Sequence, residues 1–169
     1  IMDPSFKVRR DWLVEDPELA RFLNQRLVHR LNPMIRRTFQ FRPTRVERLI
    51  VSCYEAENGG HFRAHRDNTT RGTAHRQFAV TINLNAGEYE GGDLVFPEFG
   101  PRSYRAPTGG AIVFSCSLLH QALPVTSGRR FALLPFLYDD ERARLREKNA
   151  HFLEGEAANY KVSDDIASG

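Results

Sequence analysis

His65 and Asp67 are separated by one residue, and side chains two apart in an extended backbone project to the same face, so an imidazole and a carboxylate can converge on one ion. Such a pair is half a site. His120 follows the strand-like run AIVFSCSLL, which can carry a second imidazole back across a sheet to the same point. Two histidines and one carboxylate on one face of an ion leave the opposite face open, an arrangement suited to iron(II) that must bind a chelating cosubstrate and oxygen together. A dicarboxylate cosubstrate also needs an anchor. Arg129 and Arg130 stand nine and ten positions beyond His120, after the turn-forming VTSG, where an antiparallel return brings them beside the ion. A guanidinium grips a carboxylate through two charge-assisted hydrogen bonds and stays ionised at any relevant pH. Arg130 shares its strand face with Ala132, whose small side chain leaves room for a bound acid, whereas Arg129 shares its face with Phe131. Arg130 is therefore the expected anchor, with Arg129 as the alternative.

These residues need a rigid frame, and the chain supplies short apolar runs for one. RVERLIVSCY, FAVTINL, DLVF, AIVFSC and RFALLPFLY are rich in β-branched and apolar residues. Between them lie ENGG, NAGEYEGG, PEFGPRS, APTGG and VTSG, turn-forming clusters at intervals suited to an antiparallel sandwich or barrel. Ahead of the strands, Leu19, Phe22, Leu23, Leu27 and Leu31 have the spacing of a helix with one buried stripe over Asp16 to Leu31, with Asp16 and Pro17 as N-cap and first helical residue. A last helix is expected from near Asp139 to about Phe152, with Leu145 and Phe152 among its few apolar contacts, followed by a tail from Glu154 without a clear signal. The expectation is one domain over residues 1–169: a helical part over 1–43, a β core over 44–138, and a C-terminal helix and tail over 139–169.

A chain of 169 residues that is 41% hydrophobic and 27% charged can bury a real core. The net charge is +3, but the arginines are scattered rather than gathered into one stripe, so a nucleic-acid partner is not expected. No apolar run approaches the length of a membrane helix and no secretory leader is visible, which gives the expectation of a soluble, cytoplasmic protein. The first residue is Ile1 rather than methionine, so the chain reads as a fragment, with IMDPSF open to being vector-derived and a missing upstream domain left open. Cys53 and Cys116 each sit inside an apolar run and read as buried, inert thiols.

With the motifs and their order in view, the sequence resembles the 2-oxoglutarate and iron(II)-dependent dioxygenases, in their prolyl 4-hydroxylase-like branch. The resemblance rests on Tyr54, GGHFRAHRD, INLN, YEGGDLVFPEFG and PTGGAIVFSCSLLHQALPVTSGRRFAL, spanning roughly Val46 to Phe136. It implies a mainly β fold with flanking helices, built on a double-stranded β-helix of the jelly-roll, cupin-like kind. It also implies iron on His65, Asp67 and His120, the distal carboxylate of 2-oxoglutarate on Arg130, or on Arg129 as in some relatives, and Tyr54 lining the cosubstrate pocket. Asn83 is a weaker candidate for that pocket. The implied reaction consumes 2-oxoglutarate and oxygen, with ascorbate open as a reductant, and hydroxylates a C–H bond of a small molecule or of a protein or peptide residue, releasing succinate and carbon dioxide.

Plainer readings stand beside these. His65 and Asp67 alone read equally as a surface pair flanked by arginines, and it is His120 and Arg130 in register that favour a site. His61 and His75 miss the spacing and read as structural, solvent-facing or near the substrate entrance, while His29 and His151 fall on expected helices as surface residues. The glycines of GGHF and YEGGD read as turns, because no lysine follows in the place a phosphate loop requires. Tyr54 and Phe62 also fit as core aromatics. From a different class of function, a jelly-roll that binds a metal or small acid without turnover, as a sensor or accessory domain, is the alternative. The loop from Asn68 to Arg76 and the region before Tyr54 are expected to border the substrate entrance.

Overall fold

The computed structural model describes residues 5–152. In chain order the strands are β1 (Lys7–Val8) and β2 (Arg10–Leu13), then β3 (Arg45–Val46), β4 (Ile50–Glu55), β5 (His61–His65) and β6 (Phe78–Asn83). They continue with β7 (Tyr89–Gly91), β8 (Leu94–Val95), β9 (Ser103–Tyr104) and β10 (Ala111–Ser115), and end with β11 (His120–Ala122), β12 (Val125–Leu133) and β13 (Phe136–Tyr138). Helix α1 (Pro17–Phe39) lies between β2 and β3, and α2 (Asp140–Lys148) follows β13. All strand pairs are antiparallel and form two sheets. The smaller runs β1-β5-β11-β8-β9, and the larger runs β2-β4-β12-β6-β13-β3, with β10 against β6 and β7 against β12. The sheets and flanking helices make the jelly-roll architecture that the resemblance implies.

Alternation along the strands sorts the core into layers. Ala79 of β6 and Phe114 of β10 join Leu94 of β8 in one buried cluster, while Tyr54 of β4 and Val125 of β12 join Ala122 of β11 in another, so both clusters bond one sheet to the other. Val80, next to Ala79, faces the opposite way. With Val46, Leu133 and Leu137 it buries Leu27 and Ile35 of α1 against the back of the larger sheet. Gly60 permits the close approach of the β4–β5 turn, since a Cβ there would lie 2.5 Å from the Glu55 amide nitrogen.

The N-terminal part differs from its expectation. It is not purely helical, because β1 adds to β5 in the small sheet (Lys7 opposite Phe62) and β2 adds to β4 in the large one (Trp12 opposite Val51). Two strands this short and this charged carry little hydrophobic pattern, and it is their backbone pairing that makes them strands. Asp16 does cap α1, accepting from the Leu19 amide at 2.7 Å. The helix then runs eight residues past Leu31, through Pro33, because Ile35 packs beside Leu27 in the core and outweighs the amide that proline removes. Its buried face is correspondingly shifted: Leu19 and Phe22 are about half exposed, and Leu23, Val28 and Leu31 pack at the margin of the cluster.

Helix α2 begins where expected, capped by Asp139, and ends at Lys148, with a short 3-10 turn over Ala150–Phe152. Its buried residue is Arg146 rather than an apolar one, and Phe152 is exposed. The tail from Glu154 lies outside the described residues. Cys53 and Cys116 are buried and unbridged, as expected. No helix among the described residues is long and apolar enough to cross a membrane.

Behind the site lies a buried ionic cluster. Glu47, 2% exposed, accepts two hydrogen bonds from Arg76, at 2.6 and 2.7 Å, and lies 3.1 Å from Nε2 of the fully buried His75. His75 is thus structural, and the cluster fastens the end of the 68–76 loop to the segment between β3 and β4. Burial pushes the Glu47 carboxyl up, but the hydrogen bond from His75 and the charge and fork of Arg76 overcome it and hold the group far below the ordinary range. Its folded value lies below the ordinary 4.5, so the stabilisation is complete above about pH 4.5 and is lost as pH falls toward the depressed value. Glu47→Gln is expected to cost about 3 kcal/mol or more, because it leaves a buried guanidinium without its counter-charge. In urea titrations the wild type should lose stability steeply on acidification below that pH and Glu47→Gln more gradually. Equal slopes would place the acid sensitivity elsewhere.

Candidate metal centre

His65 closes β5 and His120 opens β11, and the register of these neighbouring strands sets the two residues opposite one another. Asp67 lies just past the end of β5, where its amide donates to the Cys116 carbonyl at 2.9 Å and fixes the turn. The pairing thus joins residues from two ends of the core in one place. Asp67 Oδ1 is 3.3 Å from His65 Nε2, and its Oδ2 is 3.3 Å from His120 Nε2. All three ligand atoms lie within 4.8 Å of one another. Adjacent ligands on an octahedral ion with bonds of roughly 2.1 Å sit about 3.0 Å apart, so the carboxylate–imidazole spacings fit one shared ion.

Each ring is held in the tautomer that a metal requires. Nδ1 of His65 lies 2.7 Å from the Arg63 carbonyl and Nδ1 of His120 lies 3.0 Å from the Leu118 carbonyl. A carbonyl can only accept, so each Nδ1 carries a hydrogen and Nε2, the atom turned toward Asp67, is the one a metal would take. Stacking of His65 on Phe62 and the tilted contact of His120 with Phe114 fix the ring planes. Burial lowers the His120 proton affinity, and Asp67 restores only part of it, so the imidazole is neutral at neutral pH. Burial pushes the Asp67 carboxyl up, but the hydrogen bond from His65 and the fields of His120 and Arg76 outweigh it and keep the group ionised below the ordinary carboxylate range. Two neutral imidazoles and one carboxylate are what a divalent ion of this class takes.

Glu98 braces the centre from outside. Its two oxygens accept from Arg66 at 2.8 and 3.1 Å, and Oε2 also accepts from the Leu119 amide at 3.0 Å. Arg66 stands between His65 and Asp67, and Leu119 immediately precedes His120, so one carboxylate ties both ligand-bearing segments together. Arg66 also donates to the Ser117 carbonyl. Nothing in the spacing of the sequence singled out Glu98, although it lies within YEGGDLVFPEFG.

The triad opens into a cavity of about 230 Å³ between the sheets. Arg130 reaches the same cavity from β12, is 6% exposed, and donates to Thr81 Oγ1 at 3.2 Å. Opposite Arg130 on the neighbouring strand is Tyr54, whose ring lies 5.1 Å from the guanidinium carbon and which also faces the cavity. Alternation turns Arg129 the other way, onto the exposed face opposite Glu55. Asn83 is not in the cavity wall. It is buried beside it, donating to the Tyr89 hydroxyl at 2.7 Å and the Ala106 carbonyl at 3.0 Å, and with Thr81 and Arg130 it lines a small adjoining cavity. Arg76 at the end of the 68–76 loop and Arg48 in the region before Tyr54 line the cavity, as do Lys7, Arg9, Asp11 and Thr81, which no motif singled out.

The ligand set and its brace give separable expectations. His65→Ala and Asp67→Ala should each abolish tight iron(II) binding in anaerobic calorimetry while leaving the circular dichroism spectrum intact. Glu98→Ala removes no ligand and should weaken iron(II) binding about 10-fold, in the range seen when an outer partner of a ligand is removed. Unchanged affinity in Glu98→Ala would show that the two segments hold their places without it.

Comparison with known proteins agrees with this geometry. A family model described as the 2OG-Fe(II) oxygenase superfamily matches residues 49–138, more than half of the chain. A PKHD-type hydroxylase of Synechococcus sp. is 32% identical over 102 residues, covering 57% of this chain and 45% of that protein. One from Nitrosomonas europaea is 28% identical over 154 residues, covering 82% and 66%. The chain thus spans about half the length of the Synechococcus relative. Among solved structures, a Pseudomonas putida prolyl-4-hydroxylase superposes with a TM-score of 0.61 at 21% identity, covering 80% of this chain and 74% of that one. A prolyl hydroxylase from Trichoplax adhaerens, in complex with a hypoxia inducible factor peptide fragment, gives 0.66 at 18% identity, covering 86% and 69%. These structures share the fold, and the family match covers the strands that carry all three ligands and Arg130. The chain belongs to the 2OG-Fe(II) oxygenase superfamily.

Proposed function

We propose that this chain is a 2-oxoglutarate- and iron(II)-dependent hydroxylase in which His65, Asp67 and His120 hold the iron and Arg130 holds the distal carboxylate of the cosubstrate. The observation that carries the reading is Arg130 itself. A buried guanidinium is costly unless an anion accompanies it, and its one side-chain hydrogen bond goes to a neutral hydroxyl. It faces the same cavity as the triad, so the missing anion belongs there. Fe(II), 2-oxoglutarate and oxygen together supply the oxidising power to place a hydroxyl on a substrate C–H bond, the cosubstrate leaving as succinate and carbon dioxide.

The chain's own part is positional. Arg130 and the Thr81 hydroxyl fix one end of the dicarboxylate, which leaves its keto acid end toward the triad. The Thr81 oxygen already accepts from Arg130, so its own hydrogen is free to donate to the same anion. Tyr54 supports the guanidinium with its ring face and is the wall against which the cosubstrate chain lies. Phe62, Leu94 and Phe114 line the cavity with apolar surface that displaces water from the reacting atoms. The buried clusters shared by the two sheets make the described residues one domain. The PKHD-type hydroxylase and prolyl-4-hydroxylase names of its relatives support hydroxylation of a C–H bond of a protein residue or small molecule as its reaction.

Succinate formation dependent on iron(II), with matching oxygen consumption, is the test, and failure to bind either iron(II) or 2-oxoglutarate anaerobically would end the proposal. Arg130→Ala is expected to raise the half-saturating 2-oxoglutarate concentration about 10- to 100-fold, as loss of a charged hydrogen-bond pair does. Arg129→Ala should change it by less than about twofold, since rim charges contribute little. The reverse pattern would move the anchor to Arg129.

A further inference from the structure

The N-terminal strands bring more positive charge to the cavity than the cosubstrate can use. Lys7 and Arg9 enter the wall from β1 and the link to β2, and Arg48 enters it from the connection between β3 and β4. One carboxylate, Asp11, serves both Lys7, at 3.4 Å, and Arg9, at 2.9 Å. Glu47 serves Arg76 through a two-bond fork and lies 3.9 Å from Arg48, whose Nε is buried without a hydrogen-bond partner. Two carboxylates thus stand against four cations. Around the triad and Arg130 the charges balance once the centre is loaded: iron(II), Asp67 and Arg130 together offset the two charges of 2-oxoglutarate. Both carboxylates of the cosubstrate are then committed, one to Arg130 and one beside the triad, and two positive charges remain on the N-terminal wall.

From this surplus we infer that the substrate is an anion, and that Lys7, Arg9 and Arg48 hold its carboxylate or phosphate while its target C–H bond faces the iron site. The inference rests on the hydroxylase reading above and names its substrate class. The three side chains are between 12% and 26% exposed, so they are accessible to a ligand yet partly desolvated, where an ionic hydrogen bond is strongest. Their fields overlap. Burial lowers the proton affinity of Lys7, and the charges of Arg9 and Arg48 lower it further against the opposing pull of Asp11, which is the condition an incoming anion relieves. Arg9 lies over the Phe62 ring, which in turn stacks on His65, so the cationic wall and the metal centre share one cavity. Arg9 is held rigid by Asp11 and by a 2.9 Å hydrogen bond to the Tyr54 hydroxyl, whereas Lys7 and Arg48 keep donors free.

The test is succinate release by the iron-loaded full chain at saturating 2-oxoglutarate with matched probes. N-acyl amino acids, short peptides with an acidic residue and phosphate monoesters are set against the corresponding amides, neutral peptides and alcohols. Stimulation confined to anionic probes is expected, and the responding arm separates a free acid from a peptide and a carboxylate from a phosphate. Equal stimulation by the neutral partners, or stimulation by none of the anions, overturns the inference. In the Lys7→Gln/Arg48→Gln double variant the KM for the active anion should rise at least about 10-fold, as expected for loss of charged hydrogen bonds, while half-saturating 2-oxoglutarate moves by less than about twofold. A rise in the cosubstrate requirement instead would assign these cations to 2-oxoglutarate and also overturn the inference. A wild-type chain that binds no 2-oxoglutarate would fail the hydroxylase reading itself, so the two failures are distinct.

Discussion

The pairing of β5 with β11 is the constraint on which the rest of the molecule depends. It sets His65 against His120, two residues far apart in the chain, and the amide of Asp67 is pinned to the Cys116 carbonyl at the turn that leads toward β11. A metal centre tolerates little error in the placing of its ligands, and a strand pair supplies that tolerance at low entropic cost because its backbone bonds already fix the register. Carbonyl contacts to both Nδ1 atoms then remove the remaining freedom of the rings. The two sheets, in this light, are the means by which two imidazoles and a carboxylate are kept together on one side of a cavity.

Alternation makes the second half of the site. On β12 the side chains of Arg129 and Arg130 point to opposite faces, one to the surface and one into the space between the sheets. A slip of one residue would bury Arg129 and expose Arg130, so the register against Tyr54 and Ser52 on β4 decides which guanidinium faces the cavity. Ala132, fully buried and two positions on, keeps that face narrow. A buried guanidinium whose partners are a neutral hydroxyl and an aromatic ring is costly here, a cost an anionic ligand would offset.

How much of this the sequence disclosed follows the range of the interactions. The convergence of the three side chains was legible because His65 and Asp67 obey a period of two and His120 ends a long apolar run; that Arg130 rather than Arg129 faces inward was legible because its neighbour Ala132 is small. The strand runs were legible for the same reason, each carrying enough apolar surface to declare itself. Legibility failed where backbone pairing or long-range charge decided the outcome. The strands β1 and β2 are short, charged and partly exposed, and nothing local distinguishes them from a leader to the helix. The buried stripe of α1 was misplaced toward its N-terminus because Leu19 and Phe22 have helical spacing but no partner, while Ile35 lies beyond a proline that ordinarily marks an end. Glu47 reads as one more surface acid until Arg76 and His75, nearly thirty residues away, close over it. Asn83 lies two residues beyond Thr81 on the same face of β6, where its Nδ2 donates to Tyr89 and Ala106 and it lines a small cavity adjoining Arg130, a placement that depends on partners distant in the sequence.

The N-terminal segment shows why the unreadable part matters most for specificity. Its few residues stitch β1 to the small sheet and β2 to the large one, so they span both walls of the jelly-roll. The same short stretch also delivers Lys7, Arg9 and Asp11 into the cavity. A segment whose backbone is held at both sheets can vary its side chains without disturbing the metal ligands, which sit on other strands. The cavity thus divides into a part set by the chemistry, where triad and anchor must keep their geometry, and a part set by charge on an added pair of strands. In this chain that second part is cationic, and its positive charge exceeds what its own carboxylates offset.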